Sequence, residues 1–514
     1  MKEKTSKSIL QIILVTFFFF SFSFPSFSMT SINVDLGSWV YLSLERLISI
    51  GLIDSALMST RPITRLEAAR LFVEAINSFK YKEIDEELYK AVENILTKAK
   101  KNFKDEFAIL EVTGGIKAMS FIKPIDEIDF TYGFLDGEYP VYNNEGIVYG
   151  TKNNHFLMFS SKSKLFNTVS LYYQPYFIYN QNLKNEEETE FDLQKAYLKV
   201  NISNIEFEVG RDSLWWGPGY HGSLLLSNNT EPFDMLKISN PRPILLPMML
   251  RYLGPLKTTF FLSKLEDERP ILDPYLYGLR VNIKPIPSLE LGVSHIAIFG
   301  GEDVSLRFSE IIEILYSNQN LTGDKESNQQ FAIDLSLWIY NPDNIVPFLR
   351  SFKFYTEFGA EDTGTPPDRR AFLFGILFKD LFLTGKADLR IEYADTSPSS
   401  VPTAWYQHVS YPASYEGRVF GHHVGSDAED IFIRTTIYLT DDLIVGIDLD
   451  KQTKGISRTI QEEHRQFGID LTYDVSDTFE IKAIYSIDRA SNINFVYGED
   501  TEYQFAGMEL AIRF

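Results

Sequence analysis

Three groups of side chains in this sequence have types and spacings that chemistry can use. Between residues 211 and 243 the chain gathers Trp215, Trp216, Tyr220, His221, Asn228, Asn229 and Arg242. Aromatic faces suit the apolar C–H side of a pyranose, and amides, imidazole or guanidinium meet its hydroxyls, so this is the composition of a sugar-contacting surface. Gly217-Pro218-Gly219 imposes a tight turn that a regular strand would not tolerate, and the segment reads as an irregular loop. It either contacts glycan or constricts a lumen, or it is a structural hairpin packing its tryptophans at a membrane interface. For Trp215 and Trp216 taken singly the hairpin is the stronger reading.

Glu357, Glu361 and Asp362 have the look of a glycosidase pair, which sets two carboxylates across the scissile bond. In a chain with 70 acidic residues, however, neighbouring carboxylates are common, and we assign no catalytic residue. His408, His422 and His423 with Asp427 and Asp430 invite a metal reading. Adjacent residues of a strand point to opposite faces, so His422 and His423 would not readily share one ion. Hydrogen bonding among Tyr406, His408 and His422 is the better account, and Tyr406 and His408 join the candidate glycan-contacting or lumen residues. No Ser/His/Asp order, phosphate-binding glycine loop or flavin fingerprint stands out, so neither metal nor cofactor is expected.

The elements that must hold these groups begin after an export signal. Lys2, Lys4 and Lys7 precede an apolar run from Ile9 to Phe24, and Ser26-Phe27-Ser28 supplies small residues for cleavage, so the mature chain is expected to start near Met29. The absence of cysteine excludes disulfides, thiolate metal sites, catalytic thiols and a lipidated N-terminus. The net charge of −21, or −23 without Lys2, Glu3, Lys4 and Lys7, repels nucleic acid.

Residues of about 35 to 105 show helical spacing. Tyr41, Leu44, Leu47 and Ile48 form one face, Thr64 stands three residues before Glu67 in a capping-box arrangement, and Leu88, Val92, Ile95 and Leu96 form another face. From about Phe107 the period becomes two. Ala196, Leu198 and Val200 alternate with Lys195, Tyr197 and Lys199, and Ala387, Leu389, Ile391 and Tyr393 alternate with Lys386, Asp388, Arg390 and Glu392. Turn formers follow at Asn180 to Asn185, Gly364 to Asp368, Thr440 to Asp442 and Asp474 to Asp477. At the C-terminus Ala506, Met508, Leu510, Ile512 and Phe514 share one face. With 14% aromatic residues for interfacial girdles, the pattern predicts an all-β antiparallel transmembrane barrel of about 16–20 strands in the outer membrane, preceded by a small α-helical bundle. The expected division is 1–28 signal peptide, 29–105 periplasmic helical domain and 106–514 barrel.

The run Arg211-Asp212-Ser213-Leu214-Trp215-Trp216-Gly217-Pro218-Gly219, followed by Ser223-Leu224-Leu225-Leu226-Ser227-Asn228-Asn229, resembles the signature segment of the Wzi family of capsule-assembly proteins. Gly278-Leu279-Arg280, Leu291-Gly292-Val293-Ser294, Tyr355-Thr356-Glu357 and Trp405-Tyr406-Gln407-His408 through Gly421-His422-His423-Val424-Gly425 match in order. The resemblance implies a non-enzymatic outer-membrane barrel with a periplasmic helical bundle, acting as a lectin-like anchor or assembly factor for capsular or extracellular polysaccharide at the cell surface. The alternative is a porin for small sugars or anions. Gly51-Leu52-Ile53 and Arg61-Pro62-Ile63-Thr64-Arg65-Leu66-Glu67-Ala68-Ala69 also look like a surface-layer homology module, which implies a peptidoglycan contact, although a plug of the barrel end accounts for them as well. If the ligand is acidic, Lys and Arg should gather on the outer loops, with the carboxylates placed in the lumen or at the periplasmic end.

Overall fold

The computed structural model describes residues 29–111, 120–137, 141–181, 187–316, 323–342, 346–361, 369–397 and 405–514. The expected export signal, Asp362, the turn from Gly364 to Asp368 and most of the turn from Asn180 to Asn185 lie outside them.

Serine and threonine caps start the first two helices. Ser38 accepts a hydrogen bond from the Val40 amide to open α1 (Trp39–Ser49), and Thr64 accepts from Glu67 N to open α2 (Arg65–Phe79). The expected capping box is half made, because the Glu67 carboxylate turns to Arg70 at 2.7 Å. α3 (Glu86–Asn102) follows, and then α4 (Lys104–Glu111). Helical structure therefore runs past the expected change of period at Phe107, because Phe107 and Ile109 are buried on a helix rather than on the first strand.

Strands β1 (Phe121–Asp136), β2 (Lys152–Leu165), β3 (Val169–Gln181), β4 (Glu187–Ile202) and β5 (Ile205–Asp212) open the barrel. Strand β6 (Phe233–Ser239) resumes at Ile244–Leu245, both pieces pairing with β7 (Pro255–Lys264). Then come β8 (Tyr275–Ile286), β9 (Leu289–Phe299), β10 (Ser327–Tyr340), β11 (Leu349–Glu361), β12 (Arg369–Leu381) and β13 (Ala387–Asp395). The circuit ends with β14 (Ala428–Tyr438), β15 (Leu443–Lys454), β16 (Glu462–Ser476), β17 (Phe479–Ser491) and β18 (Thr501–Arg513). All neighbours are antiparallel, and β18 closes on β1 from Glu127↔Arg513 to Asp136↔Gln504, giving a closed 18-stranded barrel. Closure leaves no unpaired edge, which a backbone in hydrocarbon requires.

The two-residue period has one consequence everywhere. Apolar side chains such as Leu198, Val209, Phe374, Met508 and Ile512 face outward and are exposed, while Lys199, Glu208, Arg280 and Asp334 point inward and are buried. The inside of this barrel is charged and the outside apolar, as a bilayer demands. Inward charges pair: Lys199 reaches Glu206 at 2.8 Å, and Arg280 grips Asp334 through two bonds of 2.7 and 3.0 Å.

Short turns such as Ser203-Asn204 and Asp477-Thr478 lie at the end where the helices dock, and the longer connections lie at the other. At the helical end Lys101 meets Asp477 at 2.6 Å, Arg350 meets Asp85 at 2.6 Å, and Lys98 pairs with Asp474. Deeper inside, Glu45 of α1 binds Arg390 at 2.7 Å and Lys353 at 3.4 Å. The segment that looks like a surface-layer module is buried here: Ile63, Thr64, Leu66, Glu67, Ala68 and Ala69 all face the interior. This packing suits a plug of the barrel end and lends no support to the expected peptidoglycan contact.

Candidate functional site: two loops folded into the lumen

A loop inside a barrel has backbone N–H groups and no sheet to receive them, so each needs an acceptor. The loop from 213 to 232, between β5 and β6, solves this with glutamates of the wall. Glu357 accepts from Leu224 N at 2.8 Å, from Gly219 N at 3.4 Å and from Ser223 Oγ at 3.2 Å. Glu392 accepts from Tyr220 N at 2.7 Å and His221 N at 2.8 Å. The same device holds the helical segment, where Glu290 accepts from Met58 N and Ser59 N at 2.9 and 3.0 Å, and the loop before β14, where Glu361 accepts from Tyr406 N at 2.9 Å. The expectation that carboxylates collect in the lumen is met by residues that hold loops in place.

Trp215 and Trp216 extend this packing. They form a short antiparallel pair with Arg61 and Thr60 of the helical segment, and both rings are buried within the barrel. The expected placement of these tryptophans at the membrane interface is thereby corrected; their flat rings fill the seam between helices and wall. Trp216 meets Phe261 edge-on at 5.3 Å and lies over Gly278, where an added Cβ would stand 2.8 Å from its ring. Gly217 has φ 147°, and a Cβ there would collide with Glu357 Oε1 at 2.1 Å. Glycine is required at both places.

The second loop, described from 405 to 427, packs on the first. Tyr406 Oη accepts from His422 N at 2.8 Å and donates to Leu224 O at 2.5 Å. Asn229 Nδ2 donates to Val419 O at 3.1 Å, and Asn228 Nδ2 to Asn143 O at 2.9 Å. Leu224, Leu225, Leu226, Trp405, Phe420 and Tyr411 join the helices' Leu44, Leu47 and Phe72 in one continuous apolar core. Between α1 and the wall a cavity of about 290 Å³ remains, lined by Glu45, Arg61, Tyr220, Lys353, Arg390 and Arg434. Tyr220 lies in it under two guanidinium groups, with Arg390 4.4 Å and Arg434 5.8 Å from the ring centre. Burial alone would raise the Glu45 carboxyl, but Arg390 and Lys353 outweigh it and hold the group at about 2.

The family profile described as capsule assembly protein Wzi matches residues 134–504, which take in both loops and nearly the whole barrel. The chain belongs to the Wzi family. A Klebsiella pneumoniae protein described as an uncharacterized 55.8 kDa protein in the cps region is 29% identical over 192 residues, spanning 36% of each chain. The match thus covers about a third of that relative's length. The Escherichia coli structure described as Wzi, an outer membrane protein involved in group 1 capsule assembly and a carbohydrate-binding β-barrel, superposes with a TM-score of 0.70. It is 17% identical and covers 95% of this chain and all of its own, which speaks for the fold. Pseudomonas aeruginosa OprD reaches only 0.45 at 9% identity over 77% of this chain and 97% of its own. The outward apolar belt and this membership make the chain an outer-membrane β-barrel of the Wzi type.

Of the candidate residues, Trp215, Trp216, Asn228, Asn229 and Tyr406 come together in the packed interior, Tyr220 faces the cavity, and His221 packs on Phe432. Arg242 is separated from them. It sits in the β6–β7 connection at the helical end, where its carbonyl accepts from Asn204 and Asn240. The expected bond between Tyr406 and His422 is present through the His422 amide, whereas His408 Nδ1 accepts from the Ser410 and Tyr411 amides at 3.3 and 3.1 Å.

Contrary to expectation, strand alternation does not bar His422 and His423 from one ion. His422 and His423 lie on a loop, their rings stacked 4.7 Å apart, so strand alternation does not separate them. Burial, above all other causes, pushes the His422 imidazole down to about 3 and His423 well below its ordinary value, so both are neutral. Asp427 turns away to Ser457. His423 instead meets His221, Asp430 and Asp450, a cluster that sequence spacing had no means of assembling. Glu290 and Glu392 were missed as well, since their only signal is a carboxylate on the charged face of a strand.

Proposed function

We propose that this protein binds capsular or extracellular polysaccharide at the outer surface of the cell and helps retain or assemble it there, without catalysing a reaction on it. The observation that carries the reading is the apolar core that occupies much of the lumen, beside which a cavity of about 780 Å³ remains between the helical segment and the wall at β1–β4. Helices α1 and α2, the loop 213–232 and the loop ending at 427 share one apolar core where a channel would run. A porin needs that space for its solute. A binding protein needs only a rigid frame for its outer loops, and wall glutamates bonded to loop backbone provide one.

Short turns are typical of the periplasmic end of an outer-membrane barrel, and this supports a helical bundle at the periplasmic end with the long connections outside. Family membership and the carbohydrate binding stated for the Escherichia coli relative support a glycan as ligand. Among the candidate residues Tyr220 alone is more than a third exposed, and it opens onto the cavity beside α1. Glu357 is unsuited to a glycosidase role, because both of its oxygens accept bonds from the loop it anchors.

A clean deletion followed by assay of cell-bound and released polysaccharide tests the reading. Loss of the cell-bound fraction, restored by the wild-type gene, is the expected result. Unchanged retention, or steady conductance of the purified protein in a planar bilayer, would move the assignment to the porin class.

A further inference from the structure

At the loop end of the interior, four side chains from four separate elements converge. His221 comes from the loop 213–232, His423 from the loop 405–427, Asp430 from β14 and Asp450 from β15. One ligating atom from each lies within 4.8 Å of every other. His221 Nε2 is 3.4 Å from Asp450 Oδ2 and 3.8 Å from Asp430 Oδ2, and His423 Nε2 is 3.4 Å from Asp430 Oδ2. Bonds of about 2.0–2.1 Å to a tetrahedral zinc ion would separate its ligands by about 3.3–3.4 Å, which two of these three separations match and the third exceeds by a few tenths.

The surroundings point the same way. Asp430 Oδ2 and Asp450 Oδ1 are buried without a hydrogen-bond partner. Two carboxylates held together out of water repel one another, and a cation between them removes that cost. Asn143 meets His423 Nδ1 at 3.3 Å, which leaves Nε2 to face the carboxylates. His221 is fixed by its amide on Glu392 and by its ring stacked on Phe432 at 3.8 Å. Gln452 completes the set: its amide nitrogen is 2.8 Å from Asp450 Oδ2 and 3.2 Å from His423 Nε2, while its Oε1 is buried without a partner. Turned over, the same amide offers that oxygen as a further donor.

We infer that His221, His423, Asp430 and Asp450 bind a divalent first-row transition ion, best Zn²⁺, which ties both lumen loops to the barrel wall. Two imidazoles and two carboxylates form a mixed nitrogen and oxygen set, which suits zinc better than calcium or magnesium, whose ligands are oxygen. His422 stacks behind His423, with its Nδ1 4.0 Å from Asp430 Oδ2, and orients the ligand. The ion sits where neither loop alone could bind it, so its role is to lock the closed interior.

The test uses the full mature chain in detergent, loaded with ZnCl₂, desalted, and measured by plasma mass spectrometry. About one equivalent of zinc per chain is expected in the wild type and in the control His295→Ala, and below about a tenth in His221→Ala and Asp450→Asn. Heat-modifiable gel mobility confirms that each variant is a folded barrel, and only folded material is counted. Chelation should lower the unfolding temperature of the wild type and leave that of His221→Ala unchanged. Loading with Co²⁺ should give the strong visible bands of a four-coordinate ion. Folded wild-type protein that holds less than about a tenth of an equivalent, or folded variants that hold as much as the wild type, would overturn the inference in favour of a proton shared between the two aspartates. Either result leaves the polysaccharide reading to its own experiment.

Discussion

Glu357 costs free energy to bury and returns it only through the three donors it receives from the 213–232 loop. In Glu357→Gln the amide keeps one acceptor oxygen and turns an N–H₂ toward a second backbone N–H. The loop should loosen by about 1–3 kcal/mol, the usual cost of an unsatisfied buried group. Limited proteolysis at the loop, compared with wild type at equal barrel content, checks this; an unchanged cleavage rate would mean that Glu357 is dispensable. Glu45 allows a signed prediction. Its carboxyl is held at about 2 in the folded state against 4.5 ordinarily. A group whose folded value is depressed adds stability that is complete above 4.5 and disappears as the pH falls toward 2, because the unfolded chain takes up its proton first. The difference is on the order of 3 kcal/mol. Unfolding temperature should therefore fall between pH 4.5 and 2 in the wild type, and Glu45→Gln should remove part of that slope while lowering stability at pH 7.

At the scale of elements, the packing of Trp216 against β8 is the most exacting contact. Gly278 leaves room for the rings of Phe261 and Trp216, and Gly278→Leu would press first on Phe261, 2.2 Å from an added Cβ, and with it on the indole packed edge-on against it. We expect a loss of about 1–3 kcal/mol, the cost of overpacking, together with a red-shifted tryptophan emission. An unshifted spectrum with unchanged stability would show that the seam can yield. This contact also marks where the sequence stops being legible. Strands such as Ala387–Asp395 were readable because lipid outside and charge inside impose a period of two, and α2 because Thr64 caps it. The same period cannot say which inward carboxylate meets which loop, since Glu290, Glu357 and Glu392 look alike along the chain. Nor could it place His423 beside His221, which depends on two irregular loops folding back into the barrel. Loop residues follow no period, so the reading of His422 and His423 by strand alternation failed where alternation itself ends.

Across the whole molecule the question is where a charge of −21 goes. Inside, pairs such as Lys199 with Glu206 and Arg280 with Asp334 cancel, and the net negative charge there lies on glutamates bonded to loop backbone. Among the described residues the outer connections carry few exposed Lys and Arg of the kind expected for an acidic ligand, Arg307 and Arg458 being two. These connections present Glu266-Asp267-Glu268, Glu302-Asp303 and Glu499-Asp500, with Arg269 and Arg418 drawn inward to backbone carbonyls. A surface of that sign repels polyanions over a Debye length of about 10 Å at 0.1 M salt. A neutral glycan pays no such penalty. Binding of purified protein to a neutral polysaccharide should therefore be nearly independent of ionic strength, while any binding to a uronic-acid polymer should strengthen as salt screens the repulsion. The two trends separate cleanly in a titration from low to high salt against both polymers. Binding to the acidic polymer that weakens with salt would instead require a local basic contact, such as one around Arg307 or Arg458.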